Sequence, residues 1–184
     1  MTICMNEIFD IIEKYYCDNE PLYNILITHS KQVCQRAVSI VDKRTELHLN
    51  RDFVFNAAML HDIGIFMCNA PSINCFGQHQ YVEHGYLGAE LLRQEGLPQY
   101  ALVAERHTGT GLTKEQIIQE NMPLPHRDFV PITLEEQLIC YADNFYSKTH
   151  LDEEYSFEVA CKKIQKFGEE CKTKMIYWKQ LFEP

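Results

Sequence analysis

The sequence predicts an all-α fold, and three observations carry that prediction. Apolar residues recur three and four positions apart almost throughout, where a strand would alternate them. Helix-start signatures precede several of these runs, at Asn50, at Thr113 with Gln116, and at Thr133 with Glu136. Glycine and proline punctuate the runs, as at Pro21, Gly64, Gly96, Pro98, Gly109 and Gly111.

Taken in order, Met5, Ile8, Phe9, Ile12 and Tyr15 mark a first helix. Pro21 suits the first turn of a second, whose buried face is Leu22, Ile25, Leu26, His29, Val33, Ala37, Ile40 and Val41. Asn50 caps a third helix bearing Phe53, Val54, Ala57 and Leu60, which ends with His61-Asp62 at Gly64. A fourth carries His84, Leu87, Gly88, Leu91 and Leu92 and stops at Gly96. Pro98 opens a fifth, through Leu102, Val103 and Arg106-His107. The two capping boxes start the next two, separated by a proline-rich loop from Met122 to Pro131. Finally Phe157, Cys161, Ile164, Gly168, Cys171, Met175, Trp178 and Phe182 alternate steps of four and three, predicting one long C-terminal helix over residues 156–183. Its seam reads first as a helix laid across the domain body and second as a homodimer contact.

Length and charge narrow the function. The 184 residues suit one domain, 1–184, and 46% hydrophobic with 23% charged residues is a globular composition. A net charge of −9 repels phosphate backbones and anionic lipid, so neither duplex nucleic acid nor a membrane is an expected partner. Met1 to Cys4 begin no signal peptide, and no apolar run is long enough to span a bilayer. Eight cysteines without a CxxC pair read as reduced core thiols of a cytoplasmic protein.

The residues with chemistry are histidines and aspartates. His61-Asp62 is followed at once by Ile63-Gly64. Helical neighbours point ~100° apart, so two of them serve one ion only where the backbone is about to turn, and Gly64 supplies that turn. His29, His84 and His107 fall on or beside the apolar stripes of three other helices, and Asp143 follows Tyr141-Ala142 within another. One core histidine is ordinary. A carboxylate in such a place is rarely buried unless it is paired or metal-bound, so the set together points to a metal centre.

The ordered set His29, His61-Asp62-Ile63-Gly64, His84-Gly85-Tyr86-Leu87-Gly88, His107-Thr108-Gly109 and Ala142-Asp143 resembles the HD-domain superfamily of metal-dependent phosphohydrolases, over about residues 22–150. With His84 and His107 present, it is similar to the binuclear subset, which includes cyclic-dinucleotide phosphodiesterases and dinucleoside-polyphosphate hydrolases. The resemblance implies an HD-type helical bundle holding two divalent ions. One would take His29, His61, Asp62 and Asp143, the other His84 and His107, and Asp62 would bridge. Many family members carry a lysine directly after this His-Asp run, where Ile65 stands here. Phosphate contacts are therefore expected from Lys148 and Arg106. His48, His79, His126 and His150 read as surface residues, and the loops 66–80 and 122–131 as candidate lids.

Two divalent ions ~3.5–4 Å apart can share a water, lower its pKa and clamp both oxygens of an in-line displacement at phosphorus. Imidazole and carboxylate donors without thiolate suit iron, manganese, zinc or nickel. The expected activity is hydrolysis of a phosphate mono- or diester of a nucleotide or small metabolite through a metal-bridging hydroxide, with Asp62 as the central residue. The alternatives are a di-iron oxygenase of the same superfamily and a non-catalytic metal- or nucleotide-binding module.

Overall fold

The computed structural model describes residues 5–184. Met1 to Cys4, where no signal peptide was expected and where one of the eight cysteines lies, fall outside them. The chain runs α1 (Met5–Tyr16), α2 (Glu20–Lys43), α3 (Arg51–Leu60), α4 (His84–Gln94), α5 (Pro98–Arg106), α6 (Lys114–Gln119), α7 (Leu134–Asp143), α8 (Phe157–Ile164) and α9 (Glu169–Phe182). The all-α expectation holds. The exception is a two-residue antiparallel pair, β1 (Asn69–Ala70) with β2 (Cys75–Phe76), too short to show a sequence period.

Local chemistry explains where the helices start. The Asn19 side chain accepts from Leu22 N–H at 3.2 Å and Pro21 sits in the first turn of α2. Asn50 accepts from Phe53 N–H at 3.0 Å to begin α3. The Thr113–Gln116 box is complete. At α7 only half of the expected box forms: Thr133 accepts from Glu136 N–H. The Glu136 carboxylate instead accepts from Ile132 N–H at 2.7 Å and from Arg106 at 3.0 Å.

α2 is the central element, packed on α3 along its length and on α7, while α4 lies along α5. Leu22, Leu26, Val33, Ala57, Leu60, Leu138, Ile139 and Ala142 meet in one core with almost no exposure. The proline-rich segment is not a free lid. Leu124 and Phe129 bury with Ile117 in a second small core, and Phe129 exchanges two backbone hydrogen bonds with Leu112, at 2.9 and 2.8 Å.

The single long C-terminal helix is not observed. Gly168, at φ 133°, breaks the run into α8, a 3-10 turn over Gln165–Phe167, and α9. An L side chain rarely adopts that conformation, and the break turns the chain through a corner. The seam's periodicity survives the corner: Cys161, Ile164, Cys171, Met175, Trp178 and Phe182 are all buried in the chain's own core. The described cysteines are free thiols, buried except for exposed Cys17, which departs from the core reading.

Glu105 on α5 is 4% exposed and receives Arg93 at 2.6 Å and Arg127 at 3.0 Å. Burial opposes its ionisation, but the two guanidinium groups outweigh burial and hold its pKa below the usual value. A depressed folded-state pKa contributes stability above the unfolded-state pKa that is lost as pH falls through the folded one. Glu105→Gln should therefore destabilise the fold by about 1–3 kcal/mol at neutral pH, and by less in acid below about pH 4. Urea denaturation at pH 7 and again below pH 4 checks both the size and the narrowing.

Candidate metal centre

All but one of the candidate ligand residues sit at or just past a helix end, and this explains how distant sequence positions converge. His29 lies mid-way along α2, and His61 caps the end of α3 with Asp62 in the turn that follows. His84 is the first residue of α4, His107 caps the end of α5, and Asp143 is the last residue of α7. Asn144 fastens two of these ends together, donating to the carbonyls of Gly109 at 2.8 Å and Cys140 at 2.7 Å.

Gly64 does not act as expected. Its backbone is right-handed, φ −84° and ψ −3°, which any residue adopts. Its role is close approach: a Cβ there would overlap the His84 carbonyl oxygen and come within 2.5 Å of Gly88 nitrogen. The absent side chain lets the turn after Asp62 lie directly on the first turns of α4, bringing Asp62 to His84. From the other side, buried Tyr16 of α1 donates its hydroxyl to the Ile63 carbonyl at 2.7 Å.

Asp62 is fully buried and its two oxygens face different histidines. Oδ2 lies 3.1 Å from His29 Nε2 and 3.0 Å from His61 Nε2. Oδ1 lies 3.3 Å from His84 Nε2 and 3.4 Å from His107 Nε2. Asp143 Oδ1 completes the first side, 2.9 Å from His29 Nε2 and 3.6 Å from His61 Nε2. Two groups result, His29-His61-Asp62-Asp143 and Asp62-His84-His107, with the donor atoms of each within 4.8 Å of one another.

The donor set fits cations. His61, His84 and His107 each place Nδ1 against a backbone carbonyl three residues earlier, at 2.7, 2.6 and 2.7 Å, from Ala58, Tyr81 and Ala104. Assigning the proton to Nδ1 leaves each Nε2 as a lone pair aimed at the cluster, the arrangement typical of metal-bound histidine. His84 and His107 then point lone pairs at each other across 3.0 Å, a repulsive pairing that a shared cation relieves. Both nitrogens of His29, Nε2 of His61 and both Asp62 oxygens are buried without a well-aligned hydrogen bond. No thiolate joins either group among the described residues, which favours metals that accept nitrogen and oxygen.

Electrostatics follow from burial and neighbours. Burial opposes charge on Asp62, but Lys148 and His61 outweigh it and hold the carboxyl well below its usual range. Burial likewise disfavours an imidazolium at His61, yet Asp62 and Asp143 raise its pKa to about 10, so a cation would have to displace a proton from Nε2 to use its lone pair. His84, desolvated and beside His107, is pushed down to about 3 and is neutral.

The two basic candidates part company. Lys148, in the tight turn from Ser147 to His150, places Nζ 2.6 Å from Asp62 Oδ2. Arg106 is not brought to the cluster: its guanidinium is bound to the buried carboxylate of Glu136, at 3.0 and 3.1 Å. Adjacency to His107 misled because the next helical residue points away. Ile65, directly after the His-Asp run, is fully buried in the core and offers phosphate no contact. Tyr81 carries no advance signal, yet its carbonyl orients His84 and its ring stacks on that imidazole at 4.7 Å. His48, His79, His126 and His150 are exposed, as expected.

The model of the HD domain family matches residues 26–147, which contain every one of these ligands. The chain belongs to the HD domain family. An uncharacterized protein from Methanocaldococcus jannaschii is 38% identical over 116 residues, 62% of this chain and 60% of that protein. A tRNA (cytidine(56)-2'-O)-methyltransferase from Thermoplasma volcanium is 32% identical over 139 residues, 75% of this chain and 35% of its own length. The enzyme of the same name from Picrophilus torridus is 31% identical over 125 residues, 67% of this chain and 32% of its own length. The chain thus spans less than two thirds of each of these relatives. No solved structure matches it. HD-family membership and the buried histidine-aspartate groups together point to a site able to hold metal. Among the described residues no helix is long and apolar enough to cross a membrane.

Proposed function

We propose that this HD-domain protein is a binuclear metal-dependent phosphohydrolase acting on a small phosphoester. The observation that carries the reading is Asp62, whose two oxygens address two separate histidine groups as a bridging carboxylate must. His29, His61 and Asp143 would hold one ion, His84 and His107 the other. Bound there, divalent cations would supply Lewis-acid charge and a water acidified toward neutral pH.

The protein's own groups do the rest. The three Nδ1 contacts fix the imidazole orientations before any substrate arrives. Asp143 and Lys148, at 16% and 13% side-chain exposure, are the most open members of the cluster, so substrate approaches past them. Burial works against the Lys148 ammonium, but Asp62, Tyr81 and Asp143 raise its pKa, so it stays charged and can meet a phosphoryl oxygen. The methyltransferase relatives match over only about a third of their own length, and a net charge of −9 opposes an RNA backbone. A small anion drawn to a cationic centre fits better.

The test is metal content together with turnover. His84→Ala and His107→Ala should each lower metal from about two per chain toward one, with phosphoesterase activity down by ~10²-fold. Unchanged stoichiometry in both would reduce these histidines to core residues and remove the binuclear reading. Turnover without oxygen by a manganese- or zinc-loaded protein would separate hydrolase from oxygenase. Lys148→Ala should keep its metals and lose at least tenfold in kcat/KM, about 1.4 kcal/mol, in steady-state kinetics on metal-replete protein.

A further inference from the structure

Beside the cluster lies a half-enclosed cavity of about 300 Å³. Asp143 and Lys148 stand in its wall, so it opens on the centre at the side from which substrate approaches. Its lining is mostly apolar, with Val82, Leu112, Met122, Ile164 and Phe167 among the contributors. One wall is built by Lys163, Ile164, Phe167 and Cys171, from α8, the corner after it and the start of α9. All of these lie beyond residue 147, where the match to the HD domain ends.

Three features mark this cavity and its wall. Phe167 lines the cavity although the residue is 62% exposed, which places it at the cavity's mouth. The corner exists because Gly168 breaks the helix, and an unbroken helix would carry residues 165–167 onward in α-helical form. Thr110, 1% exposed and also in the lining, has a buried hydroxyl without a hydrogen-bond partner. An apolar chamber with one unanswered hydroxyl suits a compact hydrophobic group carrying one polar atom.

We propose that the α8 corner, with Phe167 and Ile164, is the specificity wall of the site, and that it selects phosphoesters whose alcohol portion is compact and apolar. This rests on the phosphohydrolase reading for the position of the phosphate. The cavity's size limits the group to one ring or two, and its enclosure disfavours polymeric substrates. Lys163, whose Nζ lies 3.7 Å from the centre of the Tyr155 ring, places one positive charge in the same lining.

Benzyl phosphate and methyl phosphate test this, because their alcohols leave with nearly equal basicity and differ in bulk. The manganese-loaded wild type should prefer benzyl phosphate by at least tenfold in kcat/KM, and Phe167→Ala should shrink that preference by roughly fivefold or more. Ile164→Ala should act in the same direction. Phe167 is exposed enough that its variant will fold. Calorimetric binding of benzylphosphonate and methylphosphonate, which are not hydrolysed, reads the wall without turnover. Preferential binding of benzylphosphonate that Phe167→Ala removes, with no ester hydrolysed, would keep the wall and discard the hydrolase. Hydrolysis of both esters without preference, or a preference untouched in both variants, would overturn the wall and leave the hydrolase standing.

Discussion

Asp62→Ala should empty both histidine groups of metal at once and lower kcat/KM by on the order of 10³-fold or more, about 4 kcal/mol of barrier. Asp62 is the one residue common to the two groups, with one oxygen given to each. Every other ligand variant removes a donor from one group only. The substitution also strips Lys148 of its nearest carboxylate, 2.6 Å away, leaving an ammonium largely out of solvent beside Asp143. The variant should therefore be destabilised as well, by about 3 kcal/mol, since a partly buried charge loses its partner. Asp62→Asn keeps the shape and removes the charge, so it should lose metal and leave Lys148 unpaired without the cavity that alanine opens. Metal analysis per chain decides the matter: two metals retained in Asp62→Ala would show that Asp62 does not bridge.

Gly64→Ala should destabilise the protein by about 3 kcal/mol or more and lower Tm by roughly 6–12 °C, because the new methyl group meets backbone that cannot rotate away. The clashing atoms are the His84 carbonyl and the backbone of Gly88, both in the first turns of α4. Relief requires α4 to move off the turn after Asp62, and His84 moves with it. Metal content should fall toward one per chain even where the variant folds, since the His84-His107 group is the one displaced. Gly96→Ala is the control. That glycine has φ 75° but nothing within 4 Å of its Cβ position, so its cost is conformational, about 1 kcal/mol, with metal unchanged. Equal thermal stability of Gly64→Ala and wild type would refute the close-approach explanation.

The two glycines show where reading residues in order succeeds and fails. Gly96 was legible as a helix stop because its requirement is local, a positive φ at a helix end. Gly64 was legible as special but for the wrong reason, since the atoms that exclude a side chain belong to α4, twenty or more positions away. Arg106 failed likewise. Its neighbour His107 belongs to the cluster, but the acid that claims its guanidinium comes from α7, and Glu136 looked from its spacing like half of a capping box. Tyr16 carries no signal, because an ordinary apolar position on α1 becomes a support for Ile63 only once the helices pack.

Helix locations, caps and the apolar stripe that forms the core are determined by the order of residues, because spacing and capping act within a few positions of the chain. So is the set of six histidines and aspartates that come together, since polar groups on apolar faces are costly without a common partner. The C-terminal stripe was also correct as a buried face, although one glycine bent the helix that carries it. Packing of distant segments settled the remainder: which Asp62 oxygen faces which histidine, that Lys148 and not Arg106 reaches the cluster, and that the α8 corner closes a cavity over Asp143. These depend on distances between elements that share no sequence neighbourhood, and side-chain direction at a helix end is set by whatever helix arrives beside it.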